Sequence, residues 1–366
     1  MKKTFVAAAV LGAMASTAFA ADVTLYGLVD LGLNYTQTKS TGSDTQNNFA
    51  MGSGQNSGSR FGLKGTEDLG DGYKVGFVLE NGFKADTAAF EKGNRLFHRE
   101  ALLFVQSPYG ELSMGRTGAL EAGTGRYGML AGNATAMGTG WDAVGNSDFI
   151  LKGTKSRMDN TITYQSPSFA GVTVLAQASL KTDPMAEAVD ADYVEGSSDA
   201  NRYYGLGVKF NAGALNAGIV GGVSDYSRID VHAADEDNGY SVAGYVNYDF
   251  GMIKPMFAVQ YWNGGFESTT PSGAFKDTEG YGLVIGATAP VLGGTLKATA
   301  GWNDFEDVKD TDTDYNNWMV GVGYEYSLSK RTSVYTAAGY KEAKTKTATT
   351  NKEKTTEVMV GLVHKF

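Results

Sequence analysis

The groups that catalysis draws on are scarce in this chain. It has three histidines, His98, His232 and His364, and no cysteine. None of the histidines stands where a base could activate a neighbouring nucleophile. Without thiolates there is neither a disulfide framework nor a sulfur ligand for a metal, and no cofactor is expected. His98, close to a strand start, reads as a structural or edge residue; His232 sits in an acidic loop where water would solvate it.

The basic residues are better organised. Arg60 and Lys64 share one side of a strand, and Arg157 has the parity of Thr161, Thr163 and Gln165, so all three project to the polar side of their strands. Two acidic runs stand apart from them, Asp235-Glu236-Asp237 and the stretch from Asp304 to Asp314 with its DTDTD. Carboxylates at every second position could gather Ca²⁺, but the glycine and closing glutamate of an EF-hand loop are missing, which favours a solvated loop.

Such residues need elements to hold them. The first segment, VTLYGLVDLGLNY, puts Val23, Leu25, Val29, Leu31, Leu33 and Tyr35 on one face and Thr24, Tyr26, Asp30 and Asn34 on the other, the pattern of a half-buried strand. The same grammar repeats to the end of the chain. In EDLGDG the Gly-Asp-Gly sequence supplies the positive φ angles of a tight hairpin. Further hairpins follow at DNTITYQSPSFAGVTVLAQASL, GYSVAGYVNYDFGMIKPMFAVQYW and NNWMVGVGYEYSLSKRTSVYTAAGY. The count is about sixteen strands, an even number as bacterial membrane barrels have. A glycine- and serine-rich loop is expected over residues 39–58, and long polar loops near 181–202, 225–239, 263–279, 303–316 and 342–356. Tyr240, Val242, Val246, Tyr248 and Phe250 alternate with Ser241, Tyr245, Asn247 and Asp249, which suits lipid on one side and water on the other. A soluble sandwich would need its apolar faces turned inward, against the glycine- and acid-rich character of the opposite faces.

One stretch breaks the alternation. From Gly115 to Phe149, small residues and glycines follow one another with neither a strand nor a helix period. Loops this long are usually functional. Either it folds into a large barrel and narrows a water-filled channel, or it is an exposed surface loop; the strands around it favour the first.

The N-terminus reads as an export signal: Lys2 and Lys3, an apolar stretch over 5–14 too short to span a bilayer, and an Ala18-Phe19-Ala20 cleavage site. Residues 1–20 are the expected signal peptide and 21–366 a single barrel domain. Loss of the two lysines leaves 29 Lys and Arg against 40 Asp and Glu, a charge of −11 that argues against nucleic acid as a partner. No later stretch has the length of apolar residues that a membrane helix needs. The fold class expected is therefore all-β, a transmembrane antiparallel β-barrel with an inward-folded constriction loop.

At SRFGLKGTEDLGDG, MDNTITYQSPSFAG and the terminal GLVHKF, the chain resembles the Gram-negative general diffusion porins, most closely the neisserial and β-proteobacterial type. The resemblance implies a homotrimer of sixteen-stranded barrels for passive diffusion of small hydrophilic solutes and ions, set in outer-membrane lipid and lipopolysaccharide. It also implies a third external loop folded inward opposite a ladder of arginines, here matching Arg60, Arg99 and Arg157. Arg99 fits least well, since parity groups it with Ala101, Leu103 and Val105. The acids on the loop side are Glu121, Asp142 and Asp148, and the family's proline–glutamate turn is replaced by GMLAGNATAMGTGW. Phe366, His364, Leu362, Val360 and Val358 alternate on one face; the resemblance makes this ending the signal read by the outer-membrane assembly machinery. The external acidic loops would bridge lipopolysaccharide through divalent cations. A substrate-selective channel, or an enzyme or adhesin on a barrel scaffold, are the alternatives.

Overall fold

The computed structural model describes residues 23–92, 95–138, 140–152, 157–182, 195, 200–225, 238–264, 278–308, 310 and 312–366. The expected signal peptide, His232, the run 235–237 and most of the loops near 181–202, 225–239 and 263–279 lie outside them.

Seventeen strand segments make one antiparallel sheet that closes on itself. They are β1 Thr24–Ser40, β2 Gln46–Ser53, β3 Arg60–Gly70, β4 Tyr73–Gly82, β5 Glu100–Ser107, β6 Gly110–Gly118, β7 Arg157–Gln165, β8 Val172–Ser179 and β9 Arg202–Ala212. After these come β10 Leu215–Asp225, β11 Gly239–Tyr248, β12 Lys254–Asn263, β13 Thr278–Val291, β14 Gly294–Asp307, β15 Asp314–Ser327, β16 Thr332–Lys346 and β17 Thr350–Lys365. β2 and β3 lie end to end against β1, pairing with 31–38 and 24–28 respectively. They fill one place in the wall, so the barrel has sixteen strands. Closure comes from β1 and β17, paired from Leu28↔Lys365 to Ser40↔Glu353. Gly27 and Phe366 exchange backbone hydrogen bonds of 3.1 and 3.0 Å at the end of that seam.

Residue alternation explains why the sheet is stable with water on one side and lipid on the other. Along β11, Ser241, Ala243, Tyr245 and Asn247 are buried while Tyr240, Val242, Val246 and Tyr248 are exposed. The exposed set is the apolar one, the inverse of a soluble protein. Tyr240–Tyr261, Tyr281–Trp302 and Trp318–Tyr340 pair across neighbouring strands with ring centroids 6.0, 5.4 and 4.9 Å apart, forming an aromatic belt on the outer face of β11–β16. Tight turns join strands at the opposite rim. At Asp71-Gly72 and Leu292-Gly293 both residues have positive φ (51° and 81°, 49° and 79°), the backbone that a two-residue hairpin requires.

Three expected loops are shorter than the sequence suggested. Residues 46–53 of the first form β2, β14 and β15 reduce the 303–316 loop to 308–313, and β16 and β17 reduce the 342–356 loop to 347–349. The physical reason is common to all three. Beyond the lipid both faces of a strand are wet, so polar residues on both sides no longer signal a loop, and backbone pairing continues with side chains such as Lys352 and Glu342 paired across it at 2.9 Å.

Candidate functional site

The segment between β6 and β7 runs along the barrel wall on the side away from the exposed apolar residues. It contains two short helices, α1 Ala131–Ala134 and α2 Asp142–Gly145, and a 3₁₀ turn at Ser147–Phe149. The Gln177 side chain of β8 accepts from the Leu120 N–H at 3.1 Å. Asn216 of β10 donates to Asn133, and Asn247 of β11 to its carbonyl, at 2.9 and 3.0 Å. Asn303 of β14 donates to the Ile150 carbonyl at 2.9 Å. The Trp141 N–H reaches the Gln55 carbonyl, between β2 and β3, at 2.5 Å.

A chain so rich in glycine and alanine would not hold one path by itself, because fixing each residue costs about 1–2 kcal/mol of backbone entropy. Leu120, Met129, Ile150, Leu151 and Trp141 offset this by burial at 0–1% exposure; each such side chain contributes about 1.5–3 kcal/mol. Glycines in the wall make the close approach possible. A Cβ on Gly321 would collide with the Val144 carbonyl, and one on Gly207 with the Met129 sulfur. This explains why so many inward positions of β9–β16 are glycine.

Asp30 of β1 anchors the wall beside Trp141. Although fully buried, its carboxylate accepts from the Asn56 and Ser57 N–H groups at 2.8 and 2.7 Å and from the Tyr335 hydroxyl at 2.7 Å. Three donors compensate the desolvation that an unpartnered carboxylate would suffer. The Tyr335 ring in turn stands edge-on to Trp141, centroids 5.3 Å apart.

Across the wall, Arg60, Arg99 and Arg157 come together. Arg99 Nε lies 2.7 Å from one oxygen of Glu80 and Arg60 Nε 3.7 Å from the other. Arg157 Nε donates to the Arg99 carbonyl at 2.9 Å. The Arg60 side chain is more open than that of Arg99, 28% exposed against 12%. Lys64 lies over the Tyr26 ring at 5.1 Å, and the Tyr26 hydroxyl donates to Glu80 at 3.0 Å. Glu91, in the loop after β4, is 3.1 Å from His98 and 3.5 Å from Arg99. The His98 hydrogen bond, with the Arg99 charge assisting, draws the Glu91 carboxyl down to about 2 against the cost of burial. His98 is buried, in keeping with a structural residue.

Two strand arguments from the sequence need amendment. Arg99 precedes β5, so parity with Ala101 does not apply to it. Between Arg157 and Thr161 the β6–β7 register shifts, and Asn160 has φ 52°, so parity does not carry across. Arg157 joins the cluster by a route that alternation could not reveal.

The acids beside the arginines also differ from expectation. They are Glu80 and Glu91, from β4 and its loop. Glu121 is instead fully buried on the far side, against Gly222 of β10 and beside Tyr203 of β9. Asp142 opens α2, which packs against β15, β16 and β17; its side chain lies outside the described residues. Asp148 belongs to a different group, where Lys152 and Lys341 stand 5.4 and 5.0 Å from the Phe149 ring. There burial pushes the Lys152 ammonium down and the charge of Lys341 adds to the effect, with Asp148 opposing it.

Sequence reasoning also missed a second set of ion pairs. Asp159 receives Arg95 at 2.8 Å and Arg116 at 2.6 Å, and Glu111 accepts from the Nε and Nη2 of Arg126, each at 2.8 Å. The Glu111 contact holds the Arg126 proton more firmly than usual. Glu80 shared the inward face with Lys74 and Gly76 and so was findable; Asp159, inside the register shift, was not.

At the end of the chain, Phe366, His364, Leu362, Val360 and Val358 all lie exposed on the outer face of β17, and His364 Nδ1 pairs with the Thr332 hydroxyl at 2.9 Å.

The profile of the Gram-negative porins matches residues 7–346. An outer membrane porin protein of Bordetella pertussis is 30% identical over the whole of both chains. A major outer membrane protein P.IB of Neisseria meningitidis serogroup B is 26% identical, again over both whole chains. An anion-selective porin from Comamonas acidovorans has the same fold, with a TM-score of 0.71 at 22% identity over 94% of this chain and all of that one. Matched by the family profile over most of its length and by a relative from end to end, the chain belongs to the Gram-negative porin family and forms a water-filled channel through the outer membrane for small hydrophilic solutes and ions.

Proposed function

We propose that the passage is narrowest between the arginine cluster and the 119–151 segment, and that it favours small anions. The observation that carries this reading is the grouping of Arg60, Arg99 and Arg157 about Glu80, with the Arg60 guanidinium more open than that of Arg99. Glu80 neutralises part of the charge and holds the guanidiniums in place. In a confined, low-dielectric passage the remaining positive charge acts much more strongly than the roughly 1 kcal/mol of a pair at 4 Å in water, and charge rings of this kind set selectivity in pores. The resemblance to a structure described as an anion-selective porin supports the same sign. The test is a planar-bilayer measurement of the purified protein: in a tenfold KCl gradient the reversal potential should have the sign of chloride preference, and a cation-selective potential would overturn the reading.

Residues 1–20 serve in this reading as a cleaved export signal. The terminal Phe366, His364 and Leu362 serve assembly, and the barrel functions as a homotrimer in outer-membrane lipid and lipopolysaccharide. The lipid-compatible outer face and the trimeric form of another barrel of this fold support the last point. The reading is that of a channel and assigns no catalytic step to the chain.

A further inference from the structure

At the short-turn rim the inner wall holds a pocket that the arginine cluster does not account for. It has a volume of about 460 Å³ and is lined by Asn216 of β10, Asn247 of β11, Asp249, Lys254 of β12 and the turn glycines Gly213 and Gly251. Short turns of such barrels face the periplasm, so the pocket lies at the periplasmic mouth of the channel. Along β11, Ser241, Ala243, Tyr245 and Asn247 face inward, and Asp249 continues their parity. On β12 the buried Met256 and Ala258 mark the inward face, which Lys254 shares.

Two features of this pocket point to a ligand. The first is an ion pair that does not form. Asn247 pairs with Met256, and continuing that register sets Asp249 opposite Lys254, where opposite charges ordinarily attract. Neither has an ion pair among the described residues; the Asp249 carboxylate accepts instead from the Gly251 N–H at 2.7 Å. The second feature is Asn247 itself, only 2% exposed. Its amide donates to the Asn133 carbonyl at 3.0 Å, but its Oδ1 is buried with no hydrogen-bond partner among the described residues. A buried acceptor left unpaired is costly, and a donor entering the pocket would satisfy it. Asn216 donates to the Asn133 side chain at 2.9 Å, so α1 holds the adjoining wall in place.

We propose that this pocket binds a small zwitterion, a free α-amino acid, at the periplasmic mouth of the channel. The α-carboxylate meets the Lys254 ammonium, and the α-ammonium meets Asp249 and the Asn247 Oδ1. An α-amino acid carries both charges on one carbon, so it fits between side chains that face each other from adjacent strands. A simple anion or a simple cation would leave one of the two protein charges unanswered. No aromatic side chain lines the pocket among the described residues, so a sugar ring finds no face to stack on. The proposal rests on the channel function of the barrel and is independent of its ion preference.

The experiment uses the full, folded protein in mild detergent, with L-alanine as probe and acetate and methylammonium as controls that each carry one of its charges. Saturation-transfer NMR should show saturable binding of L-alanine to the wild-type protein and none of either control. Asp249→Asn and Lys254→Gln should each weaken binding about tenfold, the loss of one charge-assisted contact. Asparagine at 249 still offers an oxygen to the Gly251 N–H, so the turn is retained. The double variant removes one charge of each sign, and its thermal transition should match that of wild type while the L-alanine signal is lost. Binding of L-alanine undiminished in both single variants, or acetate binding as tightly as L-alanine, would overturn the proposal. A cation-selective reversal potential of the wild-type protein would overturn the anion reading of the channel and leave this proposal standing.

Discussion

At the scale of single residues, the arginines divide by what they touch. Arg60 is more open than Arg99 and meets Glu80 at 3.7 Å and the Gly58 carbonyl at 3.2 Å, whereas Arg157 donates to the Arg99 carbonyl at 2.9 Å. Arg60→Ser should therefore shift the reversal potential toward cations, lowering the anion-to-cation permeability ratio severalfold at 0.1 M salt. At 1 M the effect should shrink, because the screening length falls from about 10 Å to about 3 Å. Arg157→Ser should instead lower stability, since it removes the donor from a main-chain carbonyl inside the cluster. An unchanged low-salt potential in Arg60→Ser would place that residue outside the ion path. Glu91 lends itself to a pH test. Its folded pKa, about 2, lies below the ordinary glutamate value, so its contribution to stability is present above that value and fades as pH falls toward 2. The side chain is 40% exposed, so the contribution is modest. In Glu91→Gln, the thermal transition should be lower near pH 7 and converge on wild type near pH 2; parallel curves would contradict the assignment.

At the scale of elements, the inward segment depends on the wall that receives it. Glycines at 321 and 339 let the α2 backbone lie close against the strands, and Gly207 leaves room for the Met129 side chain. Gly321→Ala sets a methyl against the Val144 carbonyl, which is backbone and cannot rotate away, so α2 must move. The expected result is an altered single-channel conductance with more open-state noise and an intact barrel by circular dichroism. Conductance identical to wild type would mean that α2 does not border the ion path. The apolar residues of this stretch were read from sequence as a loop without period. In the structure Met129 meets β9, Ile150 meets β13 and β14, Val144 meets β15 and β16, and Trp141 meets the Tyr335 ring of β16, which is why no local pattern betrayed them.

At the scale of the whole molecule, closure and assembly meet at one residue. Phe366 exchanges backbone hydrogen bonds with Gly27, and its ring lies against that glycine. Deleting Phe366 should sharply lower the yield of heat-modifiable barrel in the outer membrane while leaving export to the periplasm intact; normal yield would remove the terminal aromatic from any assembly role. If the barrel is a homotrimer, the unboiled protein should migrate as a larger species that boiling converts to monomer. Light scattering of a monomer in mild detergent would count against that arrangement.

Much of the architecture was legible along the chain because a barrel wall obeys a local rule. Val242, Val246 and Tyr248 must meet lipid, Ser241 and Asn247 must not, and that choice is made residue by residue with a period of two. Tight turns such as Leu292-Gly293 are equally local, since their backbone angles depend on two residues. The sequence by itself therefore determined strand number, faces and the channel class, and it picked out Arg60 as an inward charge. Only the tertiary structure decided which acid each arginine meets and how the 119–151 segment runs. It also decided where strands continue beyond the lipid. Each of these depends on groups distant in sequence: Asp30 with Tyr335, Glu121 with Gly222, Lys39 with Lys354. Such contacts are set by closure of the sheet, which brings the first strand to the last and leaves no trace in local alternation.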